Sequence, residues 1–318
     1  MKKYILKRLL SAIPVLLIVS VVIFSIVYLI PGDPAAMILG ENATPEDAAI
    51  LRLRMGLDRG FIPRYLNWLG RMCHGDFGVS VAQSTPVSAM IADRLRPTLS
   101  LSLYSMIIAL VIALPLGMLG ARKKGTVLDH AVSVTALLGI SLPSFLLGLF
   151  LIVVFAVKLR WFPVAGFSPL SAGFVPHIRS ITLPAIALGF MYSALLMRMI
   201  RASLLETLSS GYVRMAKAKG VSEFSLLTKH AFRSALPPLL TVAGQSFIGV
   251  LSGAAVVESL FGIPGIGSLV VSSIGRRDYQ VIQAVVLLIA LINVLINLLV
   301  DLLYGLADPR IRLANEGT

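Results

Sequence analysis

The chain has 318 residues, of which 57% are hydrophobic and 14% charged, against about 45–50% and about 25% in an ordinary soluble domain. Its net charge is +13 and Cys73 is its one cysteine, which excludes a soluble globular domain, a disulfide framework and a thiolate metal site built from this chain alone. A basic surplus in so apolar a chain points to Lys- and Arg-rich loops beside a membrane before it points to nucleic acid.

A helix needs about 20 apolar residues to cross the hydrocarbon, because every backbone polar group must be satisfied within the segment. Six stretches meet this condition and predict an all-α polytopic membrane protein with six transmembrane helices. The first, residues 9–30, follows the basic "MKKYILKRLL". It is too long for the apolar region of a signal peptide and no A-x-A site follows, so it reads as an uncleaved span. Residues 31–98 then form a loop of 68 residues containing "TPEDAAILRLRMGLD" and "TPVSAMIADRLRP". These are amphipathic stretches with capping residues at Thr44 and at Ser84 or Thr85, which predict a small extracytoplasmic helical cap. Trp68 in this cap and Trp161 after the third span read as headgroup-level anchors.

The remaining spans are expected at 99–121, 131–157, 183–200, 236–260 and 281–306, the fourth being the shortest. They make residues 99–306 a five-helix core, with a cytoplasmic loop at about 201–235 and a tail at 307–318. The span interiors hold no Asp, Glu, Lys, Arg or His; their polar groups are Gln245, Gln283, Asn293 and Asn297. Proton- or ion-coupled transport usually leaves an intramembrane carboxylate or histidine, and no hydrolase pattern occurs in any span. The four histidines are scattered, without metal-site spacing. In the fifth span Gly249 and Gly253 form a G-x-x-x-G that lets another helix approach, either inside the chain or from a second subunit. Gln245, one turn away, is a candidate pathway-lining residue, and Glu258 near the outer end faces either an aqueous chamber or bulk solvent.

Sixteen Lys and Arg lie in the N-terminal segment, the 122–124 "RKK", the 198–233 connection and the tail, against five in the third-to-fourth and fifth-to-sixth loops. Alternating spans put the sixteen on one side, so both termini are expected to be cytoplasmic. The densest basic stretch is "GYVRMAKAKGVSEFSLLTKHAFRSALPPLL", residues 211–240. "SSG" ends the preceding helix, "YVRMAKAK" is a short helix closed by Gly220, and Ser222 caps the helix that leads into the fifth span. From composition alone this is equally a solvated basic loop.

"RMAKAKG" followed by "KHAFRSA" resembles the coupling segment of the permease subunits of bacterial ABC importers, in the form used by the peptide-permease branch. Arg214, Met215 and Ala216 stand at the E-A-A positions of that signature and Gly220 at its glycine. Arg214 replaces the usual Glu, and Leu236 and Pro237 come four residues late for I-x-L-P, both as in that branch. "IPGDPA" (30–35), "GDFGVS" (75–80), "RPTLSLSL" (96–103), "LPSFLLGLFLIVVF" (142–155), "LRWFPVAG" (159–166), "VVESLFGIPGIGSLV" (256–270), "RRDYQVIQAVVLL" (276–288) and "ADPRIR" (307–312) are similar to the family in order. Gln280 stands where the family usually has Pro. The resemblance is to the B-type permeases of dipeptide, oligopeptide, glutathione or nickel importers, and it leaves the substrate open.

The resemblance implies the type I ABC importer permease fold and half of a translocation pathway that works by alternating access. It implies a coupling helix at 212–219, with Gly211, Tyr212, Arg214, Ala216, Lys217, Ala218, Lys219 and Gly220 as its contact and hinge residues. The partners it implies are a second homologous permease subunit, two cytoplasmic ATPase subunits, a periplasmic or lipid-anchored binding protein facing the 31–98 cap, and the bilayer of the bacterial inner membrane. No G-x-x-x-x-G-K-[ST] occurs in the chain, so ATP and Mg are expected on the ATPases and no enzyme activity here. The alternative from another class is a self-contained secondary transporter or channel, for which the chain shows no half-helix pair or internal repeat. The charge asymmetry predicts that a reporter requiring the cytoplasm is active when fused at Thr318 and inactive after Gly166; the reverse pattern would refute the topology.

Overall fold

The computed structural model describes residues 2–29, 44–54 and 60–307. The "IPGDPA" stretch and all but the first residue of "ADPRIR" lie outside the described residues. Among the described residues the structure is helical, apart from turns and one isolated antiparallel bridge between Val79 and Pro86. The described residues divide into two compact units, one holding 96–268 and 296–307 and the other those within 2–95 together with 269–295.

In the smaller unit α1 (Lys2–Leu29) packs against α3 (Phe61–Cys73), and α2 (Pro45–Arg54) lies between them in the chain. Thr44 caps α2 reciprocally. Its hydroxyl accepts from Asp47 N at 3.2 Å, and Asp47 Oδ2 accepts from the Thr44 hydroxyl at 2.6 Å. The α1–α3 contact is aromatic. Phe24 meets the rings of Phe61, Tyr65 and Trp68 at 5.3–5.6 Å, and the hydroxyls of Ser20 and Tyr65 bond at 2.7 Å. Trp68 packs against α1, with its indole Nε1 buried. The helix Ile266–Gly275 is α10, and the 78–87 turn of the same unit is tied to the start of α11 (Tyr279–Ala307). Ser80 Oγ donates to Asp278, and Gln280 Oε1 accepts from Val79 N at 3.0 Å. Gln280 thus satisfies a loop amide with its side chain.

The larger unit is organised around α7 (Phe174–Leu208), which packs against α5 (Val127–Ser141), α6 (Ser144–Lys158) and α9 (Glu223–Leu260). Two apolar clusters lie along it. One joins Ala109, Ala113, Leu196, Met197, Ile200, Leu204 and Leu239; the other joins Leu101, Leu151, Leu183, Leu188, Val250, Val257 and Phe261. Where lipid tails are as apolar as Leu, helices associate through small residues that let backbones approach, and Ala185, Ala187, Gly189, Ser193 and Ala194 supply them on α7. Asp129 of α5 accepts from both Nε and a terminal nitrogen of Arg201 on α7, at 2.5 and 2.8 Å, and also from Gly125 N at 2.9 Å.

Three features differ from the sequence reading. The third span is not one helix: α5 and α6 meet at a 99° bend. Proline drives the preceding residue out of the helical region, and Leu142 before Pro143 is extended, with φ −88° and ψ 114°. The second span begins well before residue 99, because α4 (Val87–Arg122) is continuous for 36 residues and takes up the end of the expected cap. Its start is not capped by Ser84 or Thr85. The Thr85 hydroxyl donates to Gln83 O, and the Pro86 carbonyl receives the first helical amides. The fourth span, expected to be shortest, is the 35-residue α7, whose apolar window is 67% buried against 11–33% for the other four unbroken spans.

Candidate functional site

The segment between α7 and α9 folds as expected into a separate short helix, α8 (Gly211–Ala218). Gly220 closes it with φ +81°, and a Cβ there would meet nothing within 4 Å. The requirement for glycine is therefore one of backbone conformation and not of space. Ser222 then caps α9, its hydroxyl accepting from Ser225 N at 3.4 Å. Gly211 has no positive φ and open space around it, so the turn entering α8 does not depend on glycine as the exit does.

α8 is fixed by three contacts. Val213 is buried, the Tyr212 hydroxyl bonds to Ser234 Oγ at 2.9 Å, and Arg214 reaches back to the Ser209 carbonyl through Nε at 3.1 Å and a terminal nitrogen at 2.8 Å. That carbonyl lies just past the end of α7, where helix acceptors lack intrahelical partners. Arg214 is therefore a staple between α7 and α8. The opposite surface is open. Lys217, Ala218 and Lys219 are exposed and Ala216 is half-buried. Tyr212, Met215 and Phe224 are 49%, 61% and 71% exposed. Met215 and Phe224 escape a reading of the sequence because the basic residues around them dominate the composition; their signal is large apolar side chains in a segment otherwise too polar to enter the membrane.

On α9, Gln245, Ser252, Gly253, Val256 and Ser259 are exposed along one side. Gln245 Nε2 donates to Asn297 Oδ1 of α11 at 3.2 Å, so it joins two helices while remaining exposed. Gly249 packs inside the chain: a Cβ there would stand 2.5 Å from the Tyr192 hydroxyl, and one at Gly253 3.6 Å from it. Glu258 faces neither a chamber nor solvent. It is 0% exposed, accepting from Thr98 Oγ1 at 2.6 Å and from Ser268 N at 2.9 Å, while Thr98 Oγ1 accepts from Ile266 N at 2.8 Å. A buried carboxylate persists only when hydrogen-bonded. Here it holds the "FGIPGIGS" turn back against Thr98, within α4, and the end of α9. Sequence reasoning misplaces it because Thr98 is 160 residues away. Among the described residues no group of His, Cys, Asp or Glu is arranged to hold a metal ion.

The helical fold is shared with known proteins. The profile described as "Binding-protein-dependent transport system inner membrane component" matches residues 113–313, and its N-terminal counterpart matches residues 1–102. The chain belongs to this family of ABC importer permeases. It is 42% identical over 309 residues to a probable peptide ABC transporter permease of Sinorhizobium fredii, covering 97% of this chain and 99% of that one. It is 40% identical over 312 residues to a glutathione transport system permease of Shigella flexneri, covering 98% and 99%. The membrane subunit of the methionine ABC transporter MetNI, in an inward-facing form, superposes with a TM-score of 0.58 at 20% identity, covering 71% of this chain and all of that one. That likeness shows the fold.

Replacing Glu258 by Leu leaves the Ser268 amide without its acceptor and removes the partner of the Thr98 hydroxyl. Each unpaired buried group costs about 1–3 kcal/mol. Glu258→Leu is expected to lower the melting temperature of the detergent-solubilised protein, and Glu258→Gln, which keeps one acceptor oxygen, to lower it less. Equal melting of Glu258→Leu and the parent would remove the structural role.

Proposed function

We propose that the chain forms one half of the membrane passage of an ATP-driven importer of peptides or peptide-like solutes, paired with a second, homologous permease subunit. Two cytoplasmic ATPases bind ATP and Mg and drive it, and a periplasmic or lipid-anchored binding protein delivers the solute. Both termini and α8 face the cytoplasm in this reading. The peptide class is supported by the names of the relatives, which include a peptide and a glutathione permease.

The observation that carries the reading is α8 itself. It is stapled to α7 and α9 by Arg214 and Tyr212, yet turns Met215 outward beside Lys217 and Lys219, with exposed Phe224 following in the chain. Apolar and basic groups on a fixed helix suit a protein groove better than water. A rigid displacement of α8 by a closing ATPase passes directly into α7 and α9, where a loose loop would absorb it. The passage would follow the exposed side of α9 from Gln245 through Gly253 towards Ser259, and alternating access would expose it to each side in turn.

A β-branched residue at Gly220 must adopt the left-handed region at a cost of about 1–2 kcal/mol or re-aim α8. Gly220→Val is expected to insert and accumulate normally while losing ATP-driven uptake or ATPase association. Arg214→Ala, which loses its two hydrogen bonds to Ser209, is expected to reduce uptake without abolishing it. Normal uptake by Gly220→Val at normal abundance would overturn the coupling role of α8.

A further inference from the structure

Between α5, α7 and α9 lies a cavity of about 550 Å³, walled by Val132, Ala136, Leu137, Leu195, Met199 and Val242 among others. Its volume is within the range of about 300–1,000 Å³ typical of small-molecule sites. Two cations of α7, Arg198 and Arg201, also line it. They differ in their partners. Arg201 is neutralised by both carboxylate oxygens of Asp129, one of which is also held by Gly125 N. Arg198 is exposed and has no carboxylate partner among the described residues, and no Asp or Glu is part of the cavity wall.

An apolar volume edged by one uncompensated guanidinium selects an anion attached to a hydrocarbon chain. A zwitterionic peptide would need an acceptor for its ammonium as well, and Asp129, the nearby carboxylate, is occupied by Arg201. Arg198 also lies near the end of the apolar part of α7, where long basic side chains reach the headgroup level. Basic pockets between spanning helices on the cytoplasmic side take anionic head groups. We propose that this cavity is a binding site for an anionic phospholipid of the cytoplasmic leaflet. Its phosphate lies on Arg198 and an acyl chain lies against Leu137, Leu195, Met199 and Val242. The choice of leaflet rests on the orientation proposed above. The site sits on α7, the arm that leads into α8, so its occupant stiffens the element that carries the coupling motion.

The test uses the full-length permease, purified from membranes with the subunits that accompany it and exposed to vesicles of mixed phosphatidylcholine and phosphatidylglycerol. Retained lipid is read by native mass spectrometry. The parent is expected to retain phosphatidylglycerol over phosphatidylcholine, and Arg198→Gln to lower that retention by about fivefold, since one basic residue near the surface contributes about 1 kcal/mol. Leu137→Trp, which fills the volume with Arg198 intact, is expected to lower it as well, and stands in if Arg198→Gln fails to assemble. Parental retention by both variants, equal retention of the two lipids, displacement by a dipeptide, or a Leu195→Cys cross-link to a second permease subunit would each overturn the site. A reversed orientation with Arg198-dependent retention intact would refute the topology and the leaflet, and leave the anionic-lipid chemistry of the site standing.

Discussion

Hydrocarbon offers no hydrogen-bond partner to a peptide group, and the rest of the structure follows from that constraint acting on α7 (Phe174–Leu208). A helix satisfies its backbone internally, but it gains little by burying apolar side chains when lipid is already apolar. The small residues of α7, from Ala185 to Ala194, make close packing the source of cohesion, and the surrounding helices pack against it. At 35 residues, about 52 Å at 1.5 Å per residue, it outruns the hydrocarbon and carries its rigidity to the turn where α8 is attached.

Polar groups inside such a bundle either fasten elements or mark an opening. Asp129 with Arg201 fastens α5 to α7, and Glu258 with Thr98 and Ser268 fastens a turn. Both sets are satisfied within the chain. The exposed side of α9 and the outer face of α8 are the opposite case. Ser252, Lys217 and Lys219 have been left open on elements that are otherwise well packed. Under the proposed function these are the surfaces offered to solute and ATPase.

Much of this is legible in the sequence because it rests on local signals. Apolar length locates the spans, and Gly220 and Ser222 locate the ends of α8 and α9, since a positive φ and a helix cap are decided by a few neighbouring residues. What escapes is either non-local or masked by a stronger local signal. The bend at Leu142–Pro143 is written in the proline but hidden by the continuous apolarity around it. The length of α7 is underestimated because burial against protein lets a span be less apolar than one facing lipid. Glu258, Arg214 and Trp68 belong by residue type to water or headgroups, whereas Thr98, Ser209 and Phe24 decide their surroundings. No periodicity could announce those partners.

The central claim is that α8 is the point at which an ATPase grips the permease. The most direct measurement places a cysteine at Met215 in a Cys73→Ser background and a matching control at Gly166. The permease is then purified with its ATPase and treated with a short thiol-to-amine cross-linker. The account predicts a permease–ATPase product from position 215 and none from 166. Absence of that product at 215, or equal yield from 166, would contradict it.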